Sequence, residues 1–264
     1  MLVIVFLVCL IFFIPYKVSA EETLLIHCGA GLSPAMDEIK QIFEKNYNCI
    51  VDYSYKGSGC LLADINFSHK GDLYLPGEDF YLEKAIERGY ILESKKIAYW
   101  TMVIVTPRGN PKNINNLQDL TKQGVRVGIG DEKAAAIGKK TFELLKKAGI
   151  YEQIKKNQVM ASLNVNELSL AAKLGHIDAG IAWTSSVMPV IDSVEVILLP
   201  REITTVTTIP IGVLKFTKNK DLSKKFVNFL STETAKKIFQ KHGYSTSKED
   251  IETDLLKIIE QSQR

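Results

Sequence analysis

The ten residues His27-Cys28-Gly29-Ala30-Gly31-Leu32-Ser33-Pro34-Ala35-Met36 carry the first chemical signal in this chain. An apolar strand over residues 24–27 runs into a small-residue turn, and a helix starts at Ser33-Pro34. Ser33 is a favourable N-cap, and Pro34 suits the first helical position. A helix that begins behind a bare turn presents unpaired N–H groups and the positive end of its dipole, which is the simplest way to hold an anion. The same grammar returns at Gly57-Ser58-Gly59, and in looser form near Ile137 and Val165. Repeated anion-ready turns point to a receptor for an anion rather than to an enzyme.

Other chemistries find little support. Gly128-Ile129-Gly130 lacks the third glycine of a dinucleotide fingerprint, and Asp131-Glu132 would crowd any phosphate there. There is no G-x-S-x-G elbow and no Ser/His/Asp set, so no catalytic residue is assigned. Asp72 and Asp131 follow strand ends and read as helix caps or loop ties. The histidines, at 27, 69, 176 and 242, show no metal spacing, and no C-x-x-C pair exists. No direct cation ligand and no cofactor is therefore expected. Cys28, Cys49 and Cys60 allow at most one bridge among themselves, and the bland reading of each is a buried small hydrophobe. The formal net charge of +3 is spread along the chain, with Lys139-Lys140 and Lys146-Lys147 on polar helix faces, which argues against nucleic-acid binding.

The elements that must position these turns alternate. Residues 24–27, 49–55, 72–75, 100–106, 126–129 and 178–183 read as short, mostly apolar strands. Met36, Ile39, Ile42 and Phe43 share one helical face. Thr141, Phe142, Leu144, Leu145 and Ala148 share another, stopped by Gly149, and a helix over residues 167–174 ends likewise at Gly175. Alternation of this kind predicts α/β layers around a largely parallel sheet. Two long β-rich runs, residues 97–106 and 204–214, predict two crossovers near 104 and 205. One lobe would hold residues 21–103 plus 205–264 and the other 104–204, with the two crossing strands as a hinge and the cleft between lobes as the ligand site. Ahead of them, residues 2–14 are an unbroken apolar run followed by Val18-Ser19-Ala20. This reads as a signal peptide over residues 1–20, with export to the periplasm or the outer face of the cytoplasmic membrane. An uncleaved anchor is the alternative.

Over residues 24 to about 244 the chain resembles the molybdate/tungstate-binding proteins of ABC importers, which have the type II periplasmic-binding-protein fold. The resemblance rests on residues 29–36, Gly57-Ser58-Gly59, Gly71-Asp72-Leu73-Tyr74, Gly128-Ile129-Gly130-Asp131, Ser162-Leu163-Asn164-Val165, residues 178–183, residues 235–239 and Gly243-Tyr244. It implies a monomeric receptor that binds a tetrahedral oxyanion through hydroxyls and backbone N–H groups at the lobe interface. Cargo would pass to a permease and its ATPase subunit. By position, Ser58 matches a binding serine, and Ile137 and Val165 fall where the family offers N–H groups, with a one-residue slip possible at Ala134-Ala135-Ala136. Gly31 stands where many members have a serine, with Ser33 two residues on as a substitute hydroxyl. Trp183 stands where many have a tyrosine, and its indole can donate but not accept. Residues 180–185 hold no acidic residue of the kind some tungstate-binding relatives use as a metal ligand. Sulfate, phosphate or another oxyanion is the alternative cargo, and a secreted hydrolase would need a nucleophile–base pair.

Overall fold

The computed structural model describes residues 22–200, 203 and 206–263; the expected signal segment lies outside the described residues. Apolar runs bounded by turn residues form the strands β1 (Glu22–Gly29), β2 (Cys49–Lys56) and β3 (Leu73–Leu75). Between them lie α1 (Ser33–Tyr47) and α2 (Ser58–Ser68), and α3 (Asp79–Glu87) follows. Met36, Ile39 and Phe43 are fully buried, as the helical spacing predicts, and α1 ends at Asn48 in the left-handed conformation. Next come β4 (Ile91–Trp100), β5 (Met102–Pro107) and β6 (Val127–Gly130). They are followed by α4 (Ala136–Lys147), α5 (Tyr151–Asn157), β7 (Gln158–Ser162), α6 (Val165–Lys173) and β8 (Ala179–Trp183). The one-turn α7 (Thr184–Val187), β9 (Val194–Leu198), β10 (Thr207–Leu214), α8 (Lys220–Phe229), α9 (Glu233–Lys241) and α10 (Ile251–Gln263) complete the described chain. The expected stops at Gly149 and Gly175 both have positive φ, 71° and 68°.

The strands make two five-stranded sheets, ordered β2-β1-β3-β10-β4 and β7-β6-β8-β5-β9. In the first, β1 is parallel to β2 and β3, while β10 runs antiparallel to β3 and β4. In the second, β6 is parallel to β7 and β8, while β5 runs antiparallel to β8 and β9. The two lobes therefore repeat one plan: three parallel strands, then an antiparallel strand supplied by a chain that has just crossed from the other lobe. This is an α/β two-lobed architecture. Pro210, which interrupts the last β-rich run in the sequence, stays within β10 at a register shift opposite β4, where a missing N–H is tolerated.

Two boundaries differ from the sequence reading. The first crossing lies at Thr101, between β4 and β5, so residue 104 is already inside the second sheet. The terminal helix α10, expected with the first lobe, packs on β9 of the second, and Arg108 Nη1 donates to Ser262 O at 2.9 Å. Three strands were not anticipated as such. The first half of β4 is exposed and carries Glu93, Lys95 and Lys96, and β7 and β9 are half-exposed edge strands of only five residues each. None of these has the nearly continuous burial of β5 or of the second half of β1.

Candidate functional site

In an open parallel sheet, ligands sit beyond the carboxyl ends of the strands, where neighbouring connections diverge. In each lobe that point is the end of the central parallel strand, β1 or β6. The ends of the two sheets face each other across a small cavity of ≈ 20 Å³, little more than one water needs. The first lobe lines it with Gly29, Ala30, Gly31, Lys56, Gly57, Ser58, Gly77 and Trp100. The second lobe adds Ala135, Ala136, Ile137, Asn164, Val165 and Trp183. No carboxylate is among these residues. The one basic side chain, Lys56, turns its Nζ to Asp64 at 2.7 Å.

Three helices open onto this space, and how each is capped decides what it offers. Gly57 precedes α2 and Ala135 precedes α4, and neither supplies a capping side chain. The N–H groups of Ser58, Ala136 and Ile137 have no acceptor among the described residues. At α6 the cap is Asn164, whose Oδ1 accepts from Asn166 N at 3.1 Å and Glu167 N at 3.4 Å. That cap skips Val165, whose N–H is also left without an acceptor. The N-termini of α2, α4 and α6 thus present unpartnered donors, each reinforced by a helix dipole.

Ser58 is 2 % exposed, and its Oγ accepts the Gly77 N–H at 2.9 Å. With one lone pair so engaged, the hydroxyl proton is free to be donated elsewhere. Its own carbonyl is held by Tyr74 Oη at 2.8 Å, which fixes the start of α2. Trp183 ends β8 and stacks on Trp100, with ring centroids 4.7 Å apart and planes 4° from parallel.

Five of the six residues singled out in the sequence, Gly31, Ser58, Ile137, Val165 and Trp183, line the cavity together. Ser33 does not. Its backbone is already helical, so Leu32 takes the N-cap position, and its hydroxyl donates to Ala30 O at 2.9 Å. Neither the cap nor the substitute hydroxyl expected of it exists in the fold. Near Ile137 the fold leaves both registers open, since the adjacent Ala136 N–H is equally unpartnered among the described residues. Trp100 and Gly77 were missed. They reach the cavity only through the crossing strand and the turn after β3, although Trp100 is one of two tryptophans in the chain.

The remaining candidates are structural. Asp72 accepts from Leu25 N at 2.7 Å and Thr217 Oγ1 at 2.5 Å, and Asp131 accepts from Lys133 N and Ala134 N. No group of three or more His, Cys, Asp or Glu is placed to hold a cation among the described residues.

The lobes touch directly around the cavity. Gly59 N donates to Ala134 O at 3.0 Å, and Asn166 Nδ2 donates to Ala30 O at 2.7 Å. Glu78, 1 % exposed, pairs with Lys140 across the interface at 3.0 Å. Burial pushes the Glu78 carboxyl above the ordinary carboxylate range, and Lys140 offsets only part of that.

A family model described as bacterial extracellular solute-binding protein matches residues 24–245. A putative binding protein of Haemophilus influenzae is 27% identical over 88% of this chain and 94% of its own length. The molybdate-binding protein ModA of Mycobacterium tuberculosis is 24% identical over 86% of each chain. Among solved structures, the sulfate-binding protein SubI of the same organism superposes with a TM-score of 0.78. That match covers 90% of this chain and 92% of the other at 16% identity, a likeness of fold alone.

Proposed function

The chain belongs to the bacterial extracellular solute-binding proteins, and on that premise we propose that it captures a tetrahedral oxyanion, molybdate or tungstate, between its two lobes for an ABC importer. The observation that carries this reading is the convergence of unpartnered N–H groups from α2, α4 and α6 with the Ser58 hydroxyl around a cavity without a carboxylate. The choice of cargo leans on the molybdate-binding relatives, whose length the match nearly spans.

Such a site replaces the water around an anion with fixed dipoles. No basic side chain needs to reach it, because the partial charges of three helix N-termini spread over the bound ion. Each hydrogen bond to a charged group contributes about 1.5–3 kcal/mol, so donors from one lobe alone give weak binding and donors from both give tight binding. The donors lie on opposite lobes joined by two crossing segments, so an ion that touches both favours the closed arrangement over the open one. A dianion without protons accepts from every donor. A protonated oxyanion must also donate, and indole and backbone N–H groups cannot accept. Released cargo would pass to a permease and its ATPase subunit, with the receptor exported by the segment at residues 1–20.

Titration calorimetry of residues 21–264 with molybdate, tungstate, sulfate and phosphate tests the reading. Saturable binding of molybdate and tungstate, well above that of phosphate, is expected. Tight binding of sulfate alone would keep the receptor and change its cargo, and heat from none of the four would refute the anion site.

A further inference from the structure

Resting on the anion-receptor reading, we propose that the indole N–H of Trp100 is a further ligand donor, delivered to the site by the strand that crosses between the lobes. Trp100 is the last residue of β4, next to the crossing at Thr101, and is 2 % exposed. Its Nε1 is buried and has no hydrogen-bond partner among the described residues. Of the buried polar side-chain atoms without a partner among the described residues, this one alone belongs to a residue lining the cavity. Buried indole N–H groups ordinarily find an acceptor. One left open at the wall of an anion site has its acceptor in the ligand.

The ring's placement supports the assignment. A β-carbon at Gly77 would lie 2.8 Å from Cζ2 of Trp100, and that atom is two bonds from Nε1. The same β-carbon would lie 3.0 Å from Cβ of Ala136, and the Gly77 N–H is the one that Ser58 Oγ accepts. The edge of the ring that bears the N–H therefore faces the region where Ser58 and the start of α4 meet. The opposite edge lies under Gly31, whose β-carbon would fall 3.2 Å from Cζ3. Glycine at 31 and 77 leaves room for the ring, and the near-parallel stack on Trp183 holds its plane. The two indoles form a rigid wall of donor-only groups, one from each side of the crossing. This wall deepens discrimination against protonated oxyanions, which bring a hydrogen that no indole can accept.

The test uses the whole mature chain labelled with ¹⁵N, in which the two tryptophans give two indole N–H signals, assigned with a Trp183→Phe variant. On adding sodium tungstate to the wild type, the Trp100 indole proton is expected to move downfield and its exchange with water to slow. Trp100→Phe, which keeps an aromatic ring and removes the donor, is expected to bind tungstate about tenfold to a hundredfold more weakly. An unmoved Trp100 signal in a wild-type protein that binds tungstate overturns the assignment while leaving the receptor intact. So does wild-type affinity in Trp100→Phe. A wild type that binds none of tungstate, molybdate, sulfate or phosphate overturns both. The measurement on the wild type stands even if Trp100→Phe fails to fold.

Discussion

Gly59→Ala isolates lobe closure from anion contact. Gly59 lies in the first turn of α2, and a β-carbon there would sit 2.1 Å from Lys133 O and 3.3 Å from Ala134 Cα, both in the other lobe. Each obstacle is backbone, so no side-chain rotation relieves the clash. Reaching ordinary contact at 3.4 Å requires the lobes to part by about 1.3 Å along that line. Hydrogen bonds tolerate donor–acceptor distances of roughly 2.7–3.2 Å, so one ion cannot then satisfy both lobes. Losing two of the second-lobe N–H donors at about 1.5–3 kcal/mol each gives a loss of about 3–6 kcal/mol, or roughly 10²–10⁴-fold in affinity. The first lobe itself is not strained, because alanine inside a helix is favoured over glycine by about 0.5–1 kcal/mol. The variant should therefore unfold cooperatively without ligand and bind tungstate far more weakly. It should also show no compaction by small-angle scattering when tungstate is added. Wild-type affinity together with wild-type compaction in Gly59→Ala would refute the closure argument.

Other expectations follow from single contacts. Ser58→Ala removes a donor from the site and also strands the buried Gly77 N–H, so it should lower unfolding stability by about 1–3 kcal/mol and weaken anion binding about tenfold or more. Denaturant unfolding and calorimetry on one preparation check both. Glu78 has its carboxyl raised by burial at the lobe interface, so it supports closure fully below its ordinary value and withdraws that support as pH rises through the raised value. Glu78→Gln should flatten the fall in affinity as pH rises above the ordinary carboxylate range, and an unchanged slope would refute its role. Burial raises the Cys28 thiol well above its ordinary value, whereas Cys60 is half-buried in α2. A thiol reagent should modify Cys60 ahead of Cys28 in the native protein, and Cys60→Ser should remove that first phase.

The parts legible in the sequence were those that local physics decides. The turn after β1, the Gly57-Ser58-Gly59 start of α2, the stops at Gly149 and Gly175 and the buried strands all follow from residue type and short spacing. Ser33 shows the limit of local rules, because a favourable capping residue one place late enters the helix and spends its hydroxyl on Ala30 O. Edge strands β7 and β9 and the charged half of β4 gain their structure from partners far along the chain, which no local pattern reveals. The same holds for α10 on β9 and for Trp100 beneath Gly31 and Gly77. Contacts of that kind are set by which lobe each segment ends in.

The most direct test of the account is a crystal structure grown with sodium tungstate, located by the anomalous signal of tungsten. The account predicts one strong peak between the lobes, with its oxygens about 2.7–3.2 Å from the N–H groups of Ser58, Ile137 and Val165 and from the Ser58 hydroxyl. A peak elsewhere, or a cavity that stays empty in crystals bearing tungstate on the surface, would contradict it.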